Sequence, residues 1–186
     1  MRRSALDKLI SAVGLSLAAI LVVAGGLLTW ASSFVNAQVH DQLAAQRITM
    51  PSGASLEALP PADREILAPY AGQEMTNGTQ AKAFADNYIL VHMNKSSGDR
   101  TYEEVSGEYQ KLPDKTTDEA KAMGELRQSL FMGNTLRGML LNAYAFGTMG
   151  MIAGIAAVAA FAGAVLMLFL SLLGFRHASR AGSATV

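Results

Sequence analysis

Two long apolar runs bracket a polar middle. Residues 9–35, LISAVGLSLAAILVVAGGLLTWASSFV, carry no charged side chain, and neither do residues 150–175, GMIAGIAAVAAFAGAVLMLFLSLLGF. A helix needs about 20 apolar residues to cross a hydrocarbon core ~30 Å thick. Each run therefore predicts a transmembrane helix. Met123, Leu126, Leu130, Gly133, Arg137, Leu140 and Tyr144 recur at spacings of three and four, which is the pattern of an amphipathic helix. No proline follows Pro113, so one helix is expected from about Thr117 straight into the second span. Val35, Val39 and Leu43 extend the first span in the same way, until Pro51 stops it. The two extensions predict a helical stalk.

Between them, MPSGASLEALPPADREILAPYAGQEMTNGT is rich in Pro, Gly and small polar residues and predicts loops with short helices. Residues 80–93, QAKAFADNYILVHM, predict a helix with Phe84, Tyr88 and Val91 on one face. The SSGDR stretch breaks it and places Ser97 on the predicted surface. Thr101 with Glu104 has the form of a capping box, opening a short helix to about Gln110. No strand alternation stands out. The fold class expected is all-α: a membrane protein with two antiparallel transmembrane helices, a helical stalk and a small, mainly helical extracytoplasmic cap. The expected division is an N-terminal tail 1–8, a first span 9–35, an extracytoplasmic helical domain 36–142, a second span 143–175 and a C-terminal tail 176–186.

Charge sets the direction. Only 16% of residues are charged against 51% hydrophobic, well below the usual quarter. Arg2, Arg3 and Lys8 precede the first span and Arg176 and Arg180 follow the second, whereas residues 36–142 hold ten Lys and Arg against fourteen Asp and Glu. Basic residues next to spans stay cytoplasmic, and long loops translocate largely regardless of charge. Both termini, with Ser4 and Ser183, are expected inside and the middle outside the cytoplasmic membrane. Trp30, Phe34, Tyr144 and Phe146 fall where interfacial aromatics belong, and Arg176 marks the inner edge. A cleaved signal peptide ending at VNA, residues 35–37, is the rival reading of the first run. Signal peptides have apolar regions of about 7–15 residues, so this longer run favours a retained helix.

The first half of the second run is built of small residues. Gly150 and Gly154 form a GxxxG, with Ala153 and Ala157 at the same spacing, and Gly25 and Gly26 lie at comparable depth in the first span. Small residues let helix backbones approach closely in lipid. Three readings fit: the spans pack on each other, the patch docks another membrane protein, or it forms a homodimer.

Candidate chemistry is sparse. With no cysteine, thiolate nucleophiles, disulfides and Cys-ligated metals are excluded. The zero net charge argues against nucleic acid, whose phosphates call for a basic face. Of the three histidines, His177 is predicted inside and His40 and His92 outside. Glu103, Glu104 and Glu108 read as a solvated helix face. There is no G-x-S-x-G turn and no phosphate-cradling glycine loop. No catalytic, cofactor-binding or metal-ligating residue is therefore assigned.

MRRSALDKLISAVGL, GGLLTWASSFV, QVHDQLAAQ, TLRGMLLNAYAFGTMG and LLGFRHAS resemble a family of small actinobacterial envelope proteins of undefined function. Some members carry the label aromatic ring-opening dioxygenase. Such enzymes hold non-haem iron through two His and a carboxylate, and only His40 and His92 share a predicted compartment here. The residues do not support that label. The expected function is a non-catalytic accessory or scaffold subunit of a membrane complex, in contact with the lipid bilayer and a membrane-protein partner. A ligand-sensing or lipid-contacting ectodomain is the alternative.

Overall fold

The computed structural model describes residues 3–180, with Arg3 by its backbone only. Arg2 and residues 181–186, Ser183 among them, lie outside the described residues. Every regular element within that range is helical. α1 (Arg3–Ala45) is followed by α2 (Ala54–Glu57), α3 (Pro61–Leu67) with a 3-10 turn at Ala68–Tyr70, and α4 (Gly78–Phe84). A π-helical segment at Ala85–Ile89 leads into α5 (Leu90–Ser97), then α6 (Tyr102–Lys111) and the 63-residue α7 (Asp118–Arg180). α1 and α7 are both long and apolar enough to cross a membrane. The chain forms two compact units, one within Met1–Val35 and Met149–Val186, the other Asn36–Thr148.

In the first unit, the buried positions of each helix are small and recur every seven residues. On α1 the series is Ser4, Ser11, Ala18, Gly25, Ser32; on α7 it is Gly150, Ala157, Ala164, Ser171, Ala178. Ser11, Ala18 and Gly25 are buried, as are all five on α7. A seven-residue repeat keeps one seam facing a partner helix along its length. Large residues stay outside it: Ile20, Val23, Ile155, Val158, Val165 and Phe169 are all exposed.

The second unit has a core of its own, in which Met50, Leu67, Met75, Val105 and Leu130 are fully buried. α1 stops at Ala45, short of Pro51. Gln46 and Arg47 donate to the Leu43 and Ala44 carbonyls at 3.0 Å, and Arg47 adopts a positive φ of 52°. That turn lets Met50 N–H reach the Gln73 carbonyl and Met75 N–H the Ile48 carbonyl, each at 2.8 Å. Burying the two methionines outweighs continuing the helix. Asn77 caps α4 by accepting from Gln80 N–H. Gly98 ends α5 in the left-handed region, where glycine carries no Cβ penalty. Both bonds of the Thr101–Glu104 capping box are present.

Candidate functional site

The first candidate surface is the small-residue seam. A Cβ placed on Gly25 falls 2.9 Å from the Phe161 ring, and one on Gly154 falls 3.0 Å from Ser32 Oγ. Ser32 Oγ donates to the Gly150 carbonyl at 2.7 Å. A Cβ on Gly14 meets Ser171 Oγ at 2.5 Å, and Ser11 Oγ occupies the corresponding space at Gly174. Ala157 is buried and Ala153 half-buried. Close approach thus continues along both helices rather than being confined to the glycine–alanine half of α7. Gly26 departs from expectation, since a Cβ there meets nothing within 4 Å. It lies off the seam, one residue around the helix from Gly25.

Of the aromatic positions, Trp30 and Phe34 point outward and stack on each other at 5.7 Å. Phe146 is exposed as well, as is Arg176. Tyr144 differs. It is half-buried, with the Lys82 ammonium 5.6 Å from its ring centroid, and a Cβ on Gly78 would lie 2.8 Å from its Cα. Its packing within the second unit is what the helical spacing alone does not reveal.

The second unit holds one charged cluster. Arg137 reaches back to the π-helical segment, where Nε donates to the Ala85 carbonyl and a terminal nitrogen pairs with Asp86, both at 3.0 Å. The same carbonyl accepts the π-type bond from Leu90 N–H. A side chain inserted into the backbone ladder is a recognised cause of such local rewinding. Lys82 also donates to Asp86. Partial burial alone would push the Asp86 carboxyl up, but hydrogen bonds from Lys82 and Arg137, with their charges, hold it below the usual carboxylate range. The Asp86 hydrogen bond raises Lys82 in turn. Every member is paired to another, so the cluster reads as a clamp between α7 and the helix preceding α5.

In the second unit the histidines and carboxylates do not converge on one site. His40 and Asp41 form an exposed neighbouring pair at 3.1 Å, and the His92 ring packs at a tilt against Tyr88, centroids 4.4 Å apart, while its Nδ1 lies 2.8 Å from the Tyr88 carbonyl. Glu104 is engaged by Thr101 and Glu108 by Arg100. Among the described residues, no group of three or more His, Asp or Glu is placed to hold a metal ion.

One stripe of the α7 surface is apolar. Phe131, Met132, Leu136 and Met139 on α7 are 51%, 55%, 39% and 65% exposed. Comparison with protein-family models, curated proteins and solved structures finds no match.

Proposed function

We propose that this chain is an integral protein of the cytoplasmic membrane. In this reading α1 and α7 cross as an antiparallel pair, both termini are cytoplasmic, and the second unit is an extracytoplasmic cap on its stalk. The matched seams support a retained first span: cleavage near residue 37 would strip Ser11, Gly14, Gly25 and Ser32 from the face of α7 they cover. They also favour internal packing over a homodimer or partner at that patch, because the small residues already have occupants.

The chain then works as a non-catalytic accessory or scaffold subunit, offering a helical surface to a membrane-protein partner. The observation that carries this is the exposed Met132, Leu136 and Met139 face. The second span in this reading begins at residue 143. Met139 therefore precedes the hydrocarbon segment, and lipid does not cover this face. Apolar surface left in water at one helical stripe marks an interaction site. The test is crosslinking in native membranes followed by identification of retained proteins. A Leu136→Ser/Met139→Ser double variant is expected to lose the principal partner while keeping its own abundance and melting temperature. Equal recovery of the same proteins by both forms would reject the assignment.

A ligand-sensing reading rests on a separate observation. A groove of about 580 Å³ in the second unit is lined by Leu59, Pro60, Val91, Asn94, Lys95 and Asp99. Ligand-dependent stabilisation of the folded state with no partner recovered would favour it.

A further inference from the structure

Where α1 and α7 lie nearest the described chain ends, one carboxylate is incompletely satisfied. Asp7 Oδ2 is shielded from solvent and has no hydrogen-bond partner. It faces His177 Nε2 at 3.9 Å, across to an imidazole that is 62% exposed. Both residues line a groove of about 420 Å³ whose apolar wall includes Ile10, Met167 and Leu170. Leaving a shielded acceptor without a donor is costly, and more so when it is charged. Among the described residues, only His177 is placed to help. Ser11 Oγ donates to the Asp7 main-chain carbonyl at 2.7 Å, and Ser171 Oγ packs over Gly14. Of the charged side chains described on the two helices here, Lys8, Arg176 and Arg180 are exposed and none forms an ion pair with Asp7; the side chain of Arg3, one turn before Asp7, lies outside the described residues.

We propose that Asp7 and His177 form a proton-operated latch between the ends of α1 and α7. The imidazole changes charge between about pH 5 and 8, and its protonated form carries N–H donors on both nitrogens. A charge-assisted N–H···O bond spans about 2.7–2.9 Å, so a small swing of the exposed ring closes the gap to Oδ2. Protonation fixes a donor on Nε2 whichever tautomer the neutral ring holds, sets a positive charge against the carboxylate and ties the helix ends together. The charged bond exists only while the ring is protonated, so the latch is shut at the acidic end of that window and open at the alkaline end. The latch does not depend on the partner proposed above.

The test uses full-length protein in lipid nanodiscs. The chain contains no cysteine, so spin labels go on Ala5→Cys and Ser179→Cys, both exposed positions, and the interspin distance is measured at pH 5.5 and 8.5. The expected result is a shorter, narrower distribution at pH 5.5. His177→Gln and Asp7→Asn should each remove the pH dependence, and His177→Lys should hold the short distance at both values. Indistinguishable distributions at the two pH values would overturn the proposal. So would a pH dependence that survives His177→Gln, because His40 and His92 in the other unit remain to produce it.

Discussion

The Ser32 hydroxyl donates to the Gly150 carbonyl at 2.7 Å, tying a polar side chain of α1 to the backbone of α7 where neither helix carries a charged side chain. Hydrogen bonds between helices in lipid average about 0.6 kcal/mol and reach about 1.7. Ser32→Ala should therefore lower stability by roughly that range, measured by reversible unfolding in bicelles. Ser33→Ala, at an exposed neighbour, should be silent.

Gly25 and Gly26 make an internally controlled pair. Leucine at residue 25 must displace the Phe161 ring, whereas at residue 26 it enters open space. Gly25→Leu is expected to cost about 1–3 kcal/mol, the usual range for overpacking, and Gly26→Leu less than about 0.5 kcal/mol. Insertion should be equal in both, since leucine favours it. Gly154→Leu should behave like Gly25→Leu. Gly163→Leu should fall between these extremes, because a Cβ there meets Leu21 alone, at 3.3 Å.

Gly78 and Gly138 make the corresponding pair in the second unit. A Cβ on Gly78 lies 2.8 Å from backbone atoms of Ala143 and Tyr144, while Gly138 has open space. Backbone cannot rotate aside as a ring can. Gly78→Ala should cost about 1–3 kcal/mol, and Gly138→Ala should stabilise by up to about 1 kcal/mol through helix propensity. Thermal unfolding followed by circular dichroism separates the two signs.

Acid should loosen the Arg137 clamp. The folded-state pKa of Asp86 is depressed, so its contribution is present above the ordinary carboxylate value and is lost as pH falls through the lower folded one. Melting temperature should drop below about pH 4. Asp86→Asn should be less stable at pH 7 and show a shallower acid limb. An identical acid limb in the variant would count against the clamp.

Sequence made the helices legible where local chemistry decides them. Thr101 and Glu104 mark a helix start through a reciprocal cap, and the Met123-to-Tyr144 spacing marks α7 down to its beginning at Asp118. The seam register was hidden for a physical reason. What Gly, Ala and Ser share is small volume, which a hydropathy profile does not read, so their seven-residue recurrence leaves no trace in it. Serines 11, 32 and 171 escape notice for the same reason, although the recurrence itself is readable once looked for. Arg137 meets Ala85 and Asp86 across some fifty residues, a pairing no local pattern encodes. Ser97 follows from neither, being 2% exposed despite its polar surroundings.

The central claim is a two-span protein with both ends inside, and substituted-cysteine labelling tests it most directly. Single cysteines at Ser4, Lys95 and Ser179 are treated with a membrane-impermeant maleimide in intact cells, then again after permeabilisation. Lys95 replaces the buried Ser97 as the outer reporter because it is exposed. The account predicts labelling of Lys95→Cys in intact cells, and of Ser4→Cys and Ser179→Cys only after permeabilisation. Labelling of Ser4→Cys or Ser179→Cys in intact cells, or a mature chain beginning at Gln38 with no Ser4 site to label, would contradict it.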